Sequence, residues 1–216
     1  MAQAVIFDMD GVIVDTEPQH NKFVRDFVAK RGGGEPKNLS RFYGQTTREL
    51  WSALKEEVGL KEDIDTLAEE SRTGFIEYLR SLPQLPTIKG VTELIEDISR
   101  AKLALAIATA ANARRLALIL VRTGLQDMFT VQVSGDDGAR GKPEPDMFLL
   151  AARRLSIKPE ECVVIEDSRN GVLAAKNAGM KTIGYAGSTE NRDDLSSADR
   201  IVTDFSELNG EQLKSM

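Results

Sequence analysis

Cysteine is nearly absent from this 216-residue chain. The single Cys162, set inside an apolar run, excludes an intramolecular disulfide and suits a reducing compartment, where it reads as a small buried hydrophobe. Positive charge is also in deficit, with 28 Lys and Arg against 34 Asp and Glu. The basic residues are dispersed rather than clustered, which argues against a nucleic-acid or anionic-membrane surface and leaves room for a small anion held by a few local cations. No long hydrophobic run occurs. The N-terminal one is too short for a signal peptide or a membrane span, and no cationic segment precedes it, so a cytoplasmic protein is expected. Internal repeats and low-complexity tracts are missing as well. The length suffices for one ordinary domain plus a sizeable insertion.

What is present is concentrated at the start. Ala4-Val5-Ile6-Phe7 reads as a strand buried on both faces, and it stops at Asp8-Met9-Asp10-Gly11. In an open α/β sheet, ligands bind outside the carboxyl ends of the strands, so this strand delivers two carboxylates to where chemistry happens. Gly11 permits a tight turn or a close approach.

From about Thr16 to Leu82 strand character gives way to helical, charged and aromatic sequence. A helix over Asn21 to Arg31 carries Phe23, Phe27 and Val28 and ends at Gly32-Gly33-Gly34. Thr46 and Glu49 fit a capping box that opens a second helix with Leu50, Trp51, Leu54 and Val58. A third helix is expected from about Asp65 to Leu82, with Pro83 and Pro86 closing the segment. Beyond Pro86, helices alternate with apolar strands, the pattern of βαβ units and a parallel sheet. Strands are expected at Leu103–Ala108, Thr130–Ser134, Cys162–Ile165, Thr182–Tyr185 and Ile201–Val202, with helices between them and a weak final helix. The fold class is therefore α/β: a doubly wound parallel sheet built from residues 1–15 and 84–216, with a small helical cap over 16–83.

The strands of interest end in polar residues: Asp8 and Asp10, then Thr109, then Glu166 and Asp167. Parallel strands bring those ends to one rim. Lys142 adds a cation in Gly141-Lys142-Pro143-Glu144-Pro145 before a helix. Four motifs in this order, with a helical insertion soon after the first, resemble the haloacid dehalogenase-like hydrolases, in the branch of β-phosphoglucomutases and phosphoglycolate phosphatases. The resemblance covers essentially the whole chain. It implies that Asp8 is a nucleophile forming an aspartyl phosphate, because a carboxylate can split one hard displacement into two easier ones. Asp10 would be general acid and then general base. Mg²⁺ would be held by the Asp8 carboxylate, the Asp10 main-chain carbonyl and Asp167, with Glu166 an outer-shell or water-mediated ligand. Lys142 would offset charge on Asp8 and the phosphoryl group, and Thr109 would donate its hydroxyl to a phosphate oxygen.

Some positions depart from that pattern. Ala110 and Ala111 follow Thr109 where hydroxyl-bearing residues are common, leaving Ala110 as backbone and Asn112 as side chain to meet the substrate. In Gly44-Gln45-Thr46-Thr47-Arg48-Glu49, similar to the family's specificity segment, Thr47 stands where hexose-phosphate mutases have arginine, and Arg48 lies one residue on. One residue is about 100° around a helix, which weighs against Arg48 as a second-phosphate clamp. His20 lies where those mutases also have a cap histidine. The expected function is thus a Mg²⁺-dependent phosphatase of a small phosphorylated metabolite, a sugar phosphate by choice, with a β-phosphoglucomutase-like mutase as the alternative. A P-loop is excluded by the spacing of Gly135 and Gly141 and by Pro143 after Lys142. A signalling receiver module also gathers acids, a Thr and a Lys around Mg²⁺, but has neither a second acid like Asp10 nor a cap.

Overall fold

A run of Ala, Val, Ile and Phe without a polar residue is stable as a strand only where both faces are covered, and Ala4–Phe7 forms such a strand, β1, with all four residues buried. The computed structural model describes residues 1–42, 46–187 and 195–216. Within them five further strands follow: β2 (Ala104–Ala108), β3 (Val131–Val133), β4 (Cys162–Glu166), β5 (Lys181–Tyr185) and β6 (Arg200–Val202). Their order is β3-β2-β1-β4-β5-β6, and every pairing is parallel. The chain winds outward through β2 and β3 on one side of β1, then returns to lay β4 on the other. That reversal places the crevice of the sheet beside β1 and β4.

Register puts Ile6 level with Ala106 and Val164. These residues share a core with Phe148 and Ala151 of α6 (Asp146–Leu155) and Ala174 of α7 (Arg169–Asn177). The alternate residues face the other way, as period two requires; there Phe7 meets Phe129 edge-on with ring centroids 6.0 Å apart. Small residues at Ala106 and Ala108 let the α6 aromatic ring approach the sheet. The remaining helices of this unit are α4 (Val91–Arg100), α5 (Ala113–Thr123) and α8 (Gly210–Ser215). Cys162 is buried and unpaired, and burial pushes its thiol up to about 11, so it is inert packing.

The intervening segment forms three helices, α1 (Glu17–Ala29), α2 (Thr47–Val58) and α3 (Ile64–Ser81). It starts earlier than the apolar spacing alone indicates, because Pro18 is favourable in a first helical turn. The capping box at Thr46 and Glu49 is present, and Gly59 closes α2 in the left-handed conformation. Phe23, Phe27, Trp51 and Phe75 build the small core, with Trp51 Nε1 donating to Ser71 Oγ at 2.7 Å. A short 3-10 turn at Leu39–Phe42 has no signature in the apolar periodicity. The chain divides into two compact units, Met1–Asp15 with Leu85–Met216, and Thr16–Gln84. Among the described residues no helix is long and apolar enough to cross a membrane.

Candidate active site

The ladder between β1 and β4 runs one residue past β1, where the Asp8 N–H donates to the Ile165 carbonyl at 3.0 Å. This pins the Asp8 main chain to the sheet and leaves its side chain at the rim, largely buried. Gly11 then turns with φ of +78°. A Cβ at Gly11 would lie 1.8 Å from Asp167 Oδ2, so the glycine is what admits that carboxylate to the rim beside the Asp8–Asp10 loop.

Lys142 reaches across the same rim. Its ammonium donates to Asp8 Oδ1 and, at 2.6 Å, to Glu166 Oε1, with the Ala108 carbonyl at 3.4 Å. Burial opposes its charge, but the adjacent Asp8 and Glu166 carboxylates outweigh that and hold Lys142 above its ordinary range. Asp8 experiences the reverse balance. Burial pushes its carboxyl up to about 7; the Lys142 ammonium opposes this, while the Glu166 and Asp10 charges add to it. Glu166, 1% exposed, accepts on its other oxygen from the Ser168 N–H at 2.8 Å and the Ser168 hydroxyl at 2.9 Å.

Thr109 follows β2, with its N–H on the Val133 carbonyl at 3.0 Å and its Oγ1 accepting from the Ala111 N–H at 3.1 Å. A hydroxyl accepting one bond can still donate its own hydrogen. Asn112 is the N-cap of α5: its Oδ1 accepts from the Arg115 N–H at 2.8 Å. Asp136 adds a second acceptor there, taking the Ala113 N–H at 2.9 Å. Asp10 turns to the Arg115 guanidinium, a residue that none of the sequence motifs includes. The available signal is electrostatic. Arg114 and Arg115 lie in the first turn of a helix, where the backbone dipole disfavours cations, so a neighbouring anion is to be expected.

In the helical unit, His20 packs edge-on against Phe75 with ring centroids 4.9 Å apart. Arg48 pairs with Asp65, both side chains being exposed. Gly44 and Gln45 lie outside the described residues. No three carboxylate, imidazole or thiol side chains converge as a metal cage among the described residues. The expected cation donors, the Asp8 and Asp167 carboxylates and the Asp10 main-chain oxygen, are hard oxygens of the kind that suits Mg²⁺. Burial first, and then the neighbouring Glu166 and Asp10 charges, push the Asp8 carboxyl up, and such a cation would counter both.

A family model described as haloacid dehalogenase-like hydrolase matches residues 5–185. The chain is 37% identical to a phosphorylated carbohydrates phosphatase of Thermotoga maritima, over 84% of this chain and 83% of the relative. Among solved structures, CbbY from Rhodobacter sphaeroides in complex with phosphate aligns over 100% of both chains with a TM-score of 0.86 and 26% identity. A putative beta-phosphoglucomutase from Thermotoga maritima aligns over 100% of this chain and 97% of its own, with a TM-score of 0.78 and 32% identity.

Proposed function

The chain belongs to the haloacid dehalogenase-like hydrolases and is a phosphatase of that family, and we propose that it hydrolyses a small sugar phosphate through an aspartyl phosphate on Asp8, with Mg²⁺ as cofactor. The observation that carries this reading is the buried Asp8 carboxylate held against Lys142 at the end of β1, with a second carboxylate, Asp10, two residues on.

In the first half-reaction an Asp8 oxygen attacks phosphorus and the bond from phosphorus to the sugar oxygen breaks. To act as general acid, Asp10 has to leave the Arg115 guanidinium and carry a proton, which it then gives to the departing oxygen. In the second half-reaction Asp10, now ionised, takes a proton from the water that attacks the aspartyl phosphate, and inorganic phosphate leaves with Asp8 restored. Lys142 keeps a fixed positive charge beside the phosphoryl oxygens throughout, and the Thr109 hydroxyl donates to one of them. Mg²⁺, held by Asp8, Asp167 and the Asp10 main-chain oxygen, would supply the positive charge that allows an anionic nucleophile to approach an anionic phosphate. Glu166 would act from outside that shell. The helical unit would serve as the substrate-selecting cap, with His20 and Arg48 as its candidate contacts, and Ala110 and Asn112 would meet the substrate from the loop after Thr109.

Phosphate release from a panel of phosphorylated metabolites, with Mg²⁺ and with EDTA, tests the reading. Sugar phosphates should be hydrolysed only with the metal, and Asp8→Asn, which keeps the shape but removes the nucleophile, should reduce turnover to background. Wild-type rates in Asp8→Asn would overturn the mechanism.

A further inference from the structure

A lysine is a point charge on a flexible four-carbon stem, so its position must be imposed from outside. Two carboxylates hold Lys142 here, Asp8 and Glu166. They differ in what the reaction does to them. When Asp8 becomes an acyl phosphate its carboxylate charge is gone, and the ion pair with Lys142 goes with it. Glu166 forms no bond to phosphorus in either half-reaction, so its contact with Lys142 is not removed by the chemistry.

Glu166 is itself locked. Its Oε1 takes the Lys142 ammonium, and its Oε2 takes both the N–H and the hydroxyl of Ser168. The Ser168 hydroxyl oxygen in turn accepts the Gly171 N–H at 3.0 Å, as the N-cap of α7. On the other side, a Cβ at Gly171 would lie 1.7 Å from Glu166 Oε1 and 1.8 Å from its carboxyl carbon. The Glu166 carboxylate therefore occupies space that any other residue at 171 would fill.

We propose that Ser168 and Gly171 are positioning residues that act through Glu166 to keep the Lys142 ammonium at the phosphoryl group after Asp8 has been phosphorylated. Neither touches the substrate. This inference rests on the aspartyl-phosphate reading above and adds to it a division of labour. Asp8 and Glu166 hold Lys142 together while phosphorus is being attacked, and Glu166 holds it during hydrolysis of the intermediate. Weakening the hold of Ser168 on Glu166 should accordingly slow the second half-reaction more than the first.

Pre-steady-state hydrolysis of p-nitrophenyl phosphate by the full Mg²⁺-loaded chain separates the two, because p-nitrophenol leaves in the first step and phosphate in the second. Ser168→Ala should lower kcat on the order of tenfold, the lower end of what loss of an outer-shell partner produces. Its kcat/KM should fall less, and a burst of p-nitrophenol larger than that of the wild type should appear. Ser168→Thr, which keeps the hydroxyl, should restore kcat. Gly171→Ala, which displaces Glu166 directly, should show the same burst and covers the case in which Ser168→Ala folds poorly. Thermal midpoints, recorded on every variant, separate a loss of folded protein from a loss per folded molecule. Unchanged kcat per folded molecule in both Ser168→Ala and Gly171→Ala, or equal falls in kcat and kcat/KM with no added burst, would overturn the proposal. Asp8→Asn, measured alongside, distinguishes the two levels: turnover retained there defeats the underlying mechanism whatever Ser168 does.

Discussion

At Asp8 burial and ion pairing pull in opposite directions, and burial prevails, with the carboxyl pushed up to about 7 against an ordinary value of 3.8. An acid whose folded pKa is raised is destabilising once ionised. Its contribution to stability is intact below the unfolded pKa, near 4, and is lost as pH rises through 7. In EDTA, Asp8→Asn should therefore be more stable than the wild type at pH 8, and the advantage should shrink as pH falls toward 4. With 1.36 kcal/mol per pKa unit, the gain at pH 8 should be on the order of 1–4 kcal/mol, the opposing ion pair with Lys142 being already contained in the raised value. Thermal midpoints at a series of pH values check this, at roughly 2–4 °C for each kcal/mol in a chain of this size. A difference that does not change with pH would mean that the Asp8 charge is not disfavoured by the fold. Holding the Asp8 carboxylate at the rim thus has a stability cost, which a bound cation there would offset.

Among the elements, α5 determines how the second loop meets the rim. Its first turn is satisfied by Asn112 from within and by Asp136 from the turn after β3, and this fixed turn delivers Arg115 to Asp10. The side-chain oxygen of Asn112, expected to face the substrate, is engaged in capping. Asparagine and aspartate cap helices about equally well, whereas alanine at an N-cap costs about 1 kcal/mol. Asn112→Ala should lower unfolding stability in urea by that much, and Asn112→Asp should not. If both variants kept wild-type stability, the cap would be unimportant and Asn112 would be left to the substrate. The capping box of α2 is the counterpart that sequence alone reveals. Thr46 and Glu49 are three residues apart, and their reciprocal bonds need nothing from elsewhere in the chain.

For the molecule as a whole, the choice between phosphatase and mutase depends on what remains to hold a second phosphate. A mutase must retain a doubly phosphorylated intermediate while it reorients, which needs cationic donors in the cap or second loop. Ala110 and Ala111 offer no side-chain donors there, Asn112 caps a helix, Arg115 is paired with Asp10, and Arg48 is paired with Asp65. Inorganic phosphate release should consequently exceed conversion of β-glucose 1-phosphate to glucose 6-phosphate, and added glucose 1,6-bisphosphate should not accelerate the latter. Phosphorus NMR of the reaction mixture follows both products; bisphosphate-primed isomerisation outrunning phosphate release from every substrate would make the chain a mutase. Much of this was readable in one dimension. Strands appear as apolar runs, the start of α2 as a Thr cap, and Asp8, Thr109, Lys142 and Glu166 as polar residues at or beyond the ends of such runs, because each signal depends only on residues a few places apart. The pairing of Arg115 with Asp10, 105 residues away, and the sharing of Lys142 between Asp8 and Glu166 follow instead from which strands become neighbours. The need for glycine at 171 is also a matter of packing in space, since the volume that a side chain would fill there is already taken by the Glu166 carboxylate at the end of β4. Sequence by itself determined the chemistry carried to the rim; only the winding of the sheet decided which of those groups neutralise, hold or crowd one another, because electrostatic and steric contacts act through space and not along the chain.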